Sequence, residues 1–416
     1  MPNFYDEKEI QPVQNRENDL FERLPAQLKY AREHCEYYRD ALSHIDISTI
    51  TNRALLTQIP VTRKSALIEL QQKSTPFGGL VAHNSNLGRL FQSPGPINDP
   101  EGQDSDWWRM GRAFFAAGFS TGDVVQNCLS YHLTPGGFIM DSGARACGCI
   151  VIPAGPGQTE QQLDIIKSLK PNGYCGTPSF LKILLDKALS QRIDIFCLKK
   201  ALVTGEPLPN SLREDLRDKG INVLQAYASA DVGLIAYESE PIDGMIVAED
   251  IIVEILRPGT QIPVAEGEVG EIVVTNFNKD YPLIRFATGD MSAIQPNNHG
   301  CERTNIRIKG WLGRADQTVK VKGMFVHPQQ IEKVRSSFTE IEKVRLVVDR
   351  HDHNDFMRLV CELKIIDASD KVIKILTEKV ISRIREVTKL GAEVTFVNVG
   401  AIKNDGVVIE DKRVFN

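Results

Sequence analysis

The sequence lacks long apolar runs and an excess of either charge. No stretch approaches the ~20 consecutive apolar residues that a membrane-spanning helix needs. The first residues, MPNFYDEKEI, have neither the basic nor the apolar region of a secretory signal. We therefore expect a cytoplasmic protein without a membrane partner. The formal net charge of −5 gives no electrostatic reason to expect nucleic-acid binding.

Closely spaced cysteine pairs of the CxxC type are also missing. The 8 cysteines are scattered along the chain, mostly among apolar residues. This pattern predicts buried free thiols rather than disulfides or a zinc site.

A length of 416 residues is more than one ordinary hydrophobic core accommodates, so it predicts two or three domains.

Helix and strand patterns alternate between residues 106 and 226. Strands separated by helices of ten to fifteen residues are typical of parallel βαβ units. From Met245 the chain becomes rich in strand patterns, which predicts a mainly antiparallel subdomain. The remaining residues have the pattern of a compact α+β domain. We therefore predict a large α/β N-terminal domain at 1–315 and a small α+β C-terminal domain at 316–416.

The N-terminal region has weaker signals. Residues 15–45 carry apolar residues at helical spacing, and Pro25 predicts an interruption of that helix. Thr62 is predicted to cap a second helix that extends to Leu70. Residues 75–103 are rich in Gly, Pro, Asn and Ser, so we predict turns around one short strand at 88–92.

Three loops follow predicted parallel strands, where α/β proteins bind ligands. In the first loop, Gly205 allows close approach of a flat base. In the second, Tyr227 can stack and Asp231 can reach a cation. In the third, Tyr131 and His132 can border an apolar acid pocket. Each loop taken alone is explained as well by an ordinary packed turn, and a lone histidine more often belongs to a core.

Residues 281–323 contain two further turns, Thr288-Gly289-Asp290 and Gly313-Arg314-Ala315-Asp316. An acid on a turn after a strand can accept hydrogen bonds from the vicinal hydroxyls of a ribose. A nearby arginine can hold a phosphate or ribose oxygen. Glycine-rich, charged spacing also suits a hinge between two bodies.

Taken in order, these segments resemble the adenylate-forming superfamily and, within it, the phenylacetate–coenzyme A ligase family. The matching segments are TPSF (177–180), TGEP (204–207), QAYASAD (225–231), PLIRFATGD (282–290), GRADQTVKVKG (313–323) and HPQQIEKV (327–334). The resemblance implies an ATP-dependent ligase that joins an aryl or other carboxylic acid to coenzyme A. The reaction would pass through an acyl-adenylate and release AMP, with Mg²⁺ as the metal ion.

The resemblance also implies roles for individual residues. Asp290 would bind the ribose hydroxyls, and Arg314 would contact ribose or phosphate. Asp231 would bind Mg²⁺, and Asp316 would be the hinge of a mobile C-terminal domain. Tyr131 and His132 would border the acid pocket. The other residues around the nucleotide would be Gly205, Glu206, Pro207, Ala226, Tyr227 and Ala228.

The segment at the place of the family's phosphate loop departs from the family pattern. The family loop is rich in Ser, Thr and Gly and ends in Gly-Lys, whereas this chain has FQSPGPIND at 91–99. Ser93 and Gly95 keep part of that chemistry. Pro94 and Pro96 remove backbone N–H donors, and Asp99 adds negative charge where phosphate would be repelled.

The tyrosine motif and the C-terminal tail depart as well: Ala228 replaces a glycine, and Asp231 is one methylene shorter than the family's acid. Ala230 replaces the hydroxyl residue before the acid, and Val407 stands where the family has its catalytic lysine, with Lys403 and Lys412 nearby. The alternative function is therefore a catalytically reduced protein that binds AMP or an acyl-adenylate. The sequence leaves open the acid, a carrier-protein acceptor in place of coenzyme A, and the oligomeric state, for which a homodimer is one option.

Overall fold

The computed structural model describes residues 4–93, 96–296, 300–315, 317, 319–351, 354–364, 370–402 and 408–413. The chain divides into two compact units, residues 1–312 and 313–416. The boundary predicted from the sequence, after residue 315, lies a few residues further along.

The first unit combines helices with strands throughout its length. Its helices are α1 (Val13–His34), α2 (Glu36–Ala41), α3 (Arg53–Leu56), α4 (Leu67–Lys73), α5 (Gly111–Ala116), α6 (Gly136–Ala146), α7 (Thr159–Leu169), α8 (Pro178–Ser190) and α9 (Asn210–Asp218). Its strands are β1 (Thr62–Arg63), β2 (Leu87–Ser93), β3 (Ile97–Gly102), β4 (Val124–Asn127), β5 (Ile150–Pro153), β6 (Gly173–Gly176), β7 (Lys200–Val203), β8 (Asn222–Ser229), β9 (Gly233–Tyr237), β10 (Met245–Val247), β11 (Ile251–Leu256), β12 (Gly270–Asn276), β13 (Phe286–Ser292), β14 (Ile294–Gln295) and β15 (Arg307–Ile308).

The N-terminal helix continues through Pro25 and ends at His34, so the predicted interruption is wrong. Proline removes one backbone donor from a helix. The apolar face of α1 compensates, because Leu24 and Leu28 are fully buried in the main core. The chain leaves the helical conformation at Cys35 instead, where the backbone is extended.

A nine-stranded sheet forms the centre of the first unit, in the order β14-β15-β10-β9-β8-β7-β6-β4-β5. The strands from β5 to β8 pair in parallel, as the alternating helix and strand pattern predicts. The strands β8, β9, β10, β15 and β14 then pair antiparallel. The carboxyl ends of β6, β7 and β8 therefore lie side by side at one edge, which is where the candidate loops begin.

A second, four-stranded sheet has the order β1-β13-β12-β11. Thr62 does not cap a helix as predicted. It lies in β1, which pairs in parallel with β13 at Phe286 and Ala287. The Thr62 amide also donates to the carbonyl of Arg285 at 3.0 Å. A 3-10 turn at Lys64–Ala66 follows directly, so β1 delivers Lys64 to the neighbourhood of β13.

Residues 87–102 form the hairpin of β2 and β3 rather than one isolated strand. The pattern predicted β2 but missed β3, because the sequence INDPEG contains proline and glycine, which are rare inside strands. The side chain of Gln71 holds β3 through two hydrogen bonds to the backbone of Asn98, at 2.8 and 2.9 Å.

The second unit has the α+β character that the sequence predicts. Its elements are β16 (Val319–Val321), β17 (Met324–Val326), α10 (Pro328–Arg335), β18 (Ile341–His351), β19 (Asn354–Leu363), α11 (Asp370–Thr388), β20 (Glu393–Val397) and β21 (Ile409–Asp411). Its larger sheet has the order β20-β19-β18-β21, and a separate apolar core fills this unit. Within the described ranges of the whole chain, no helix is long and apolar enough to cross a membrane.

Candidate functional site

The loop after β7 is fixed to the strand β8 by one side chain. Gly205 has a φ of 81°, a left-handed conformation that glycine adopts without strain. The Gln225 amide donates to the carbonyl of Glu206 at 3.0 Å, and its oxygen accepts from the Leu208 amide at 3.3 Å. Gln225 thereby places the backbone of Gly205, Glu206 and Pro207 beside β8.

The structure brings Tyr227 and Asp290 together from distant parts of the sequence. The Tyr227 hydroxyl donates to Oδ2 of Asp290 at 2.7 Å. The indole N–H of Trp311 donates to the other carboxylate oxygen at 3.0 Å. Since a carboxylate oxygen can accept more than one hydrogen bond, a half-buried carboxylate of this kind is a chemically suitable acceptor for the hydroxyls of a ribose. The two donors fix its orientation in advance.

The backbone around these residues differs from the sequence-based expectation. Asp290 lies inside the strand β13, whereas the sequence predicted that the strand would end before Thr288. Similarly, Ala226, Tyr227 and Ala228 lie in β8 rather than in a loop after it. The strand continues because Tyr227 and Ala236 of β9 pair directly across the sheet. A local pattern does not reveal that partner.

Replacing Tyr227 with phenylalanine tests the contact with Asp290. A hydrogen bond to a charged group contributes roughly 1.5–3 kcal/mol. We expect AMP to bind about tenfold more weakly, because the carboxylate is then less well oriented. Calorimetric titration with AMP measures the change. Tyr30→Phe is the matched control, since the Tyr30 hydroxyl bonds Asn84 on the surface. If the two variants bound AMP equally well, the Tyr227 hydroxyl would not orient Asp290 for nucleotide binding.

Asp231 follows β8 and is paired with a lysine. Its Oδ2 lies 2.5 Å from Nζ of Lys64, and the Asp231 side chain is completely buried. A positively charged side chain therefore stands where the resemblance implies a metal ion. The sequence does not predict this contact, because nothing in the segment VTRKSAL links Lys64 to a residue so distant in the chain. The assignment of Mg²⁺ to Asp231 remains a prediction.

The hairpin of β2 and β3 brings Asp99 to the same region. Ser93 ends β2 and pairs with Ile97 across the hairpin. Asp99 is fully buried. Its pKa is raised to about 7, first by burial and second by the negative charge of Asp231. The negative charge predicted at Asp99 is thus disfavoured by its surroundings.

Tyr131 and His132 occupy different environments. The Tyr131 hydroxyl accepts from the Asn127 amide at 2.7 Å and donates to Asp141 at 3.2 Å. Its ring packs edge-on against Phe138, with 5.1 Å between the ring centroids. His132 is exposed to solvent. The Tyr131 ring is therefore held in place by interior contacts, and the histidine is not a buried core residue.

The remaining predicted site residues lie in a different unit from Asp290 or outside the described residues. Arg314 belongs to the second unit, whereas Asp290 belongs to the first. Gly95, Asp316, Lys403 and Val407 lie outside the described residues. Lys412 follows β21, with its Nζ 3.5 Å from the carboxylate of Glu410. The described residues hold no group of three or more metal-ligating side chains.

Comparison with known proteins first defines the class. The model of the AMP-binding enzyme family matches residues 106–278, and that of the AMP-binding enzyme C-terminal domain matches residues 323–415. A solved structure of 2-hydroxyisobutyryl-CoA ligase with 2-HIB-AMP and CoA shares the fold. Its TM-score is 0.83 at 22% identity, over 98% of this chain and 92% of the other. The chain thus has the fold of the AMP-binding enzymes.

Curated relatives narrow the class to one family. The phenylacetate–coenzyme A ligase of Pseudomonas putida is 30% identical over 315 residues, which cover 72% of this chain and 70% of the relative. The enzyme of the same name from Escherichia coli K12 is 28% identical over 94% of both chains. This chain belongs to the phenylacetate–coenzyme A ligase family.

Proposed function

We propose that this protein is an ATP-dependent acid–coenzyme A ligase that forms an acyl-adenylate and then a thioester. The observation that carries the proposal is the Asp290 carboxylate, held by Tyr227 and Trp311 at 2.7 and 3.0 Å. An anion held in a fixed orientation suits the two donor hydroxyls of a ribose. The family to which the chain belongs uses this chemistry.

The nucleotide would be bound between the ends of adjacent strands. Asp290 accepts the ribose hydroxyls, and the loop of Gly205, Glu206 and Pro207 borders the adenine. Ala226 and Ala228 flank Tyr227 on β8 and add little bulk beside the base. Further along the chain, Arg314 would contact ribose or phosphate, and Asp316 would be the hinge of the C-terminal domain.

The reaction would proceed in two displacements. A carboxylate oxygen of the acid attacks the α-phosphorus of ATP, and pyrophosphate leaves. The sulfur of coenzyme A, after loss of its proton, then attacks the acyl carbon, and AMP leaves. The described residues orient the nucleotide for both steps, and such positioning contributes much of the rate enhancement in reactions of this kind.

The acid would be a small aryl or other carboxylic acid. Tyr131 supports this proposal, because its hydroxyl is satisfied by Asn127 and Asp141 and its ring remains as the contact surface. A satisfied hydroxyl leaves no strong polar requirement at this position. An acid with an apolar ring therefore fits this wall better than a highly polar acid does.

Turnover with a panel of acids tests the proposal. Purified protein is incubated with ATP, Mg²⁺, coenzyme A and single acids, including phenylacetate, and AMP release is measured. We expect AMP and the matching thioester in equal amounts with at least one aryl acid. Omission of coenzyme A is the control, since it should stop the reaction after the adenylate. Absence of AMP release with every acid would contradict the proposal.

A second candidate function is binding of AMP or an acyl-adenylate with little turnover. Asp99 favours it, because a carboxylate lies in the hairpin that the family uses for phosphate. Calorimetry separates the candidates: tight AMP binding without AMP release from ATP supports the second. Turnover that persists in Lys403→Ala and Lys412→Ala variants supports an active ligase with its own phosphate contacts.

A further inference from the structure

A buried cluster of oxygen atoms surrounds the contact between Lys64 and Asp231. Oδ1 of Asp231 and the hydroxyl of Tyr281 have no hydrogen-bond partner in the described chain, and the carboxylate of Asp99, which Ser93 contacts, lies near them. All three residues are buried. Burial raises the pKa of Tyr281 well above its usual value, and the nearby Asp231, Asp99 and Tyr38 raise it further. Buried polar atoms without partners are rare and require an explanation.

The charge balance of this cluster explains the role of the lysine. Two carboxylates in a buried environment repel one another and require a nearby positive charge. Lys64 supplies that charge at 2.5 Å from Asp231, with about a quarter of its own side chain exposed (24%). Lys64 also lowers the pKa of Asp99, against the larger effect of burial. Its ammonium therefore acts on both carboxylates.

Two features of the chain hold Lys64 in this position. β1 pairs in parallel with β13, and the 3-10 turn that contains Lys64 begins at the next residue. The adjacent Arg63 is anchored by Glu271 at 2.6 Å and by the carbonyl of Thr260 at 2.9 Å. The backbone directly before Lys64 is thus held by the pairing of β1 with β13 and by the contacts of Arg63.

We propose that the Lys64 ammonium takes the place of a divalent metal ion at Asp231, so that this site binds AMP or an acyl-adenylate without a metal ion there. The inference rests on the proposed nucleotide site. Mg²⁺ needs near-octahedral oxygen ligands and usually keeps several waters, whereas the Asp231 side chain has no solvent access. A fixed ammonium supplies positive charge with no such requirement. Lys64 is a positioning residue for Asp231 and the phosphate region.

The first experiment measures Mn²⁺ binding by the full chain without nucleotide, using the paramagnetic resonance signal of free Mn²⁺. We expect wild type to bind no Mn²⁺ at Asp231. Lys64→Met leaves Asp99 and Asp231 without their cation, so we expect it to gain one Mn²⁺ per chain. Adding Asp99→Asn to Lys64→Met should weaken that gained site at least tenfold. Lys64→Arg is the control, because it keeps the charge and should bind no Mn²⁺.

Wild type and Asp231→Asn are sufficient to overturn the proposal, without Lys64→Met. Binding of one Mn²⁺ per wild-type chain that Asp231→Asn abolishes would place the metal ion at Asp231 and refute the inference. This measurement does not depend on whether Lys64→Met folds. The folding of that variant is checked separately by circular dichroism.

The second experiment titrates AMP into wild type in EDTA and again in Mg²⁺. We expect the two affinities to agree within about twofold, and a tenfold gain in Mg²⁺ would overturn the inference. Failure of AMP to bind in either buffer would contradict the proposed nucleotide site. The Mn²⁺ measurement would still decide the role of Lys64, so the two failures can be told apart.

Discussion

Replacing Arg285 with methionine is expected to destabilise the first unit by about 3–5 kcal/mol, the usual cost of breaking a buried ion pair. Arg285 is fully buried and bonds both carboxylate oxygens of Glu254, each at 3.0 Å. It also donates to the carbonyl of Ile59 at 2.6 Å. Methionine fills a similar volume but leaves the Glu254 carboxylate buried without a counter-charge.

The position of Arg285 makes this loss large. Its φ of 45° is left-handed, which costs an L-residue roughly 1–2 kcal/mol. The contacts of the guanidinium offset that cost and fix the start of β13. β13 carries Asp290 and pairs with β1, which directly precedes Lys64. The ion pair of Arg285 and Glu254 therefore supports the positions of both Asp290 and Lys64.

Urea unfolding monitored by tryptophan fluorescence measures the free energy of unfolding. The control is Lys73→Met, which breaks the exposed ion pair with Glu69 at 2.6 Å, where both side chains are about 70% exposed. Exposed pairs contribute about 0–1 kcal/mol, so the control should change little. A loss below about 1 kcal/mol in Arg285→Met would show that β13 does not depend on this ion pair.

The elements that the sequence predicts best are those with local signals. The helix Thr159–Leu169 and the strand Gly173–Gly176 follow the alternating pattern predicted between residues 106 and 226. The hairpin of β16 and β17 and the helix α10, which begins at Pro328, agree with the predicted α+β character of the C-terminal domain. In each case, the period of apolar residues, a turn or a helix-starting residue lies within the element itself.

The contacts that build the candidate site have no such local signal. Lys64 meets Asp231 only because β1, a strand of two residues, pairs with β13. Trp311 meets Asp290 across an interval without regular periodicity. Pairing between distant segments depends on the packing of the whole unit. Ordered motifs indicated the family and made Tyr227 and Asp290 candidates, whereas the contacts of Lys64 and Trp311 became visible only in the structure.

Replacing Asp290 with asparagine is expected to weaken AMP binding about 100-fold. Asparagine keeps the shape of the side chain but loses the charge and one acceptor. Hydrogen bonds to a charged group contribute roughly 1.5–3 kcal/mol each. Loss of about 2.7 kcal/mol from the two ribose contacts corresponds to that factor. The new amide N–H₂ group would also face one of the donors that now bond Asp290, either Tyr227 or Trp311.

A comparison of AMP with 2′,3′-dideoxy-AMP, which lacks both ribose hydroxyls, shows whether Asp290→Asn loses the ribose contacts or disrupts the nucleotide site in general. Wild type should bind the dideoxy compound about 100-fold more weakly than AMP, whereas Asp290→Asn should bind the two nearly alike. The matched control is Asp280→Asn, because the Asp280 carboxylate also accepts from a tryptophan, Trp107, at 3.3 Å. It should keep the wild-type ratio. If Asp290→Asn also kept that ratio, Asp290 would not bind the ribose, and the contacts from Tyr227 and Trp311 would serve only to stabilise β13.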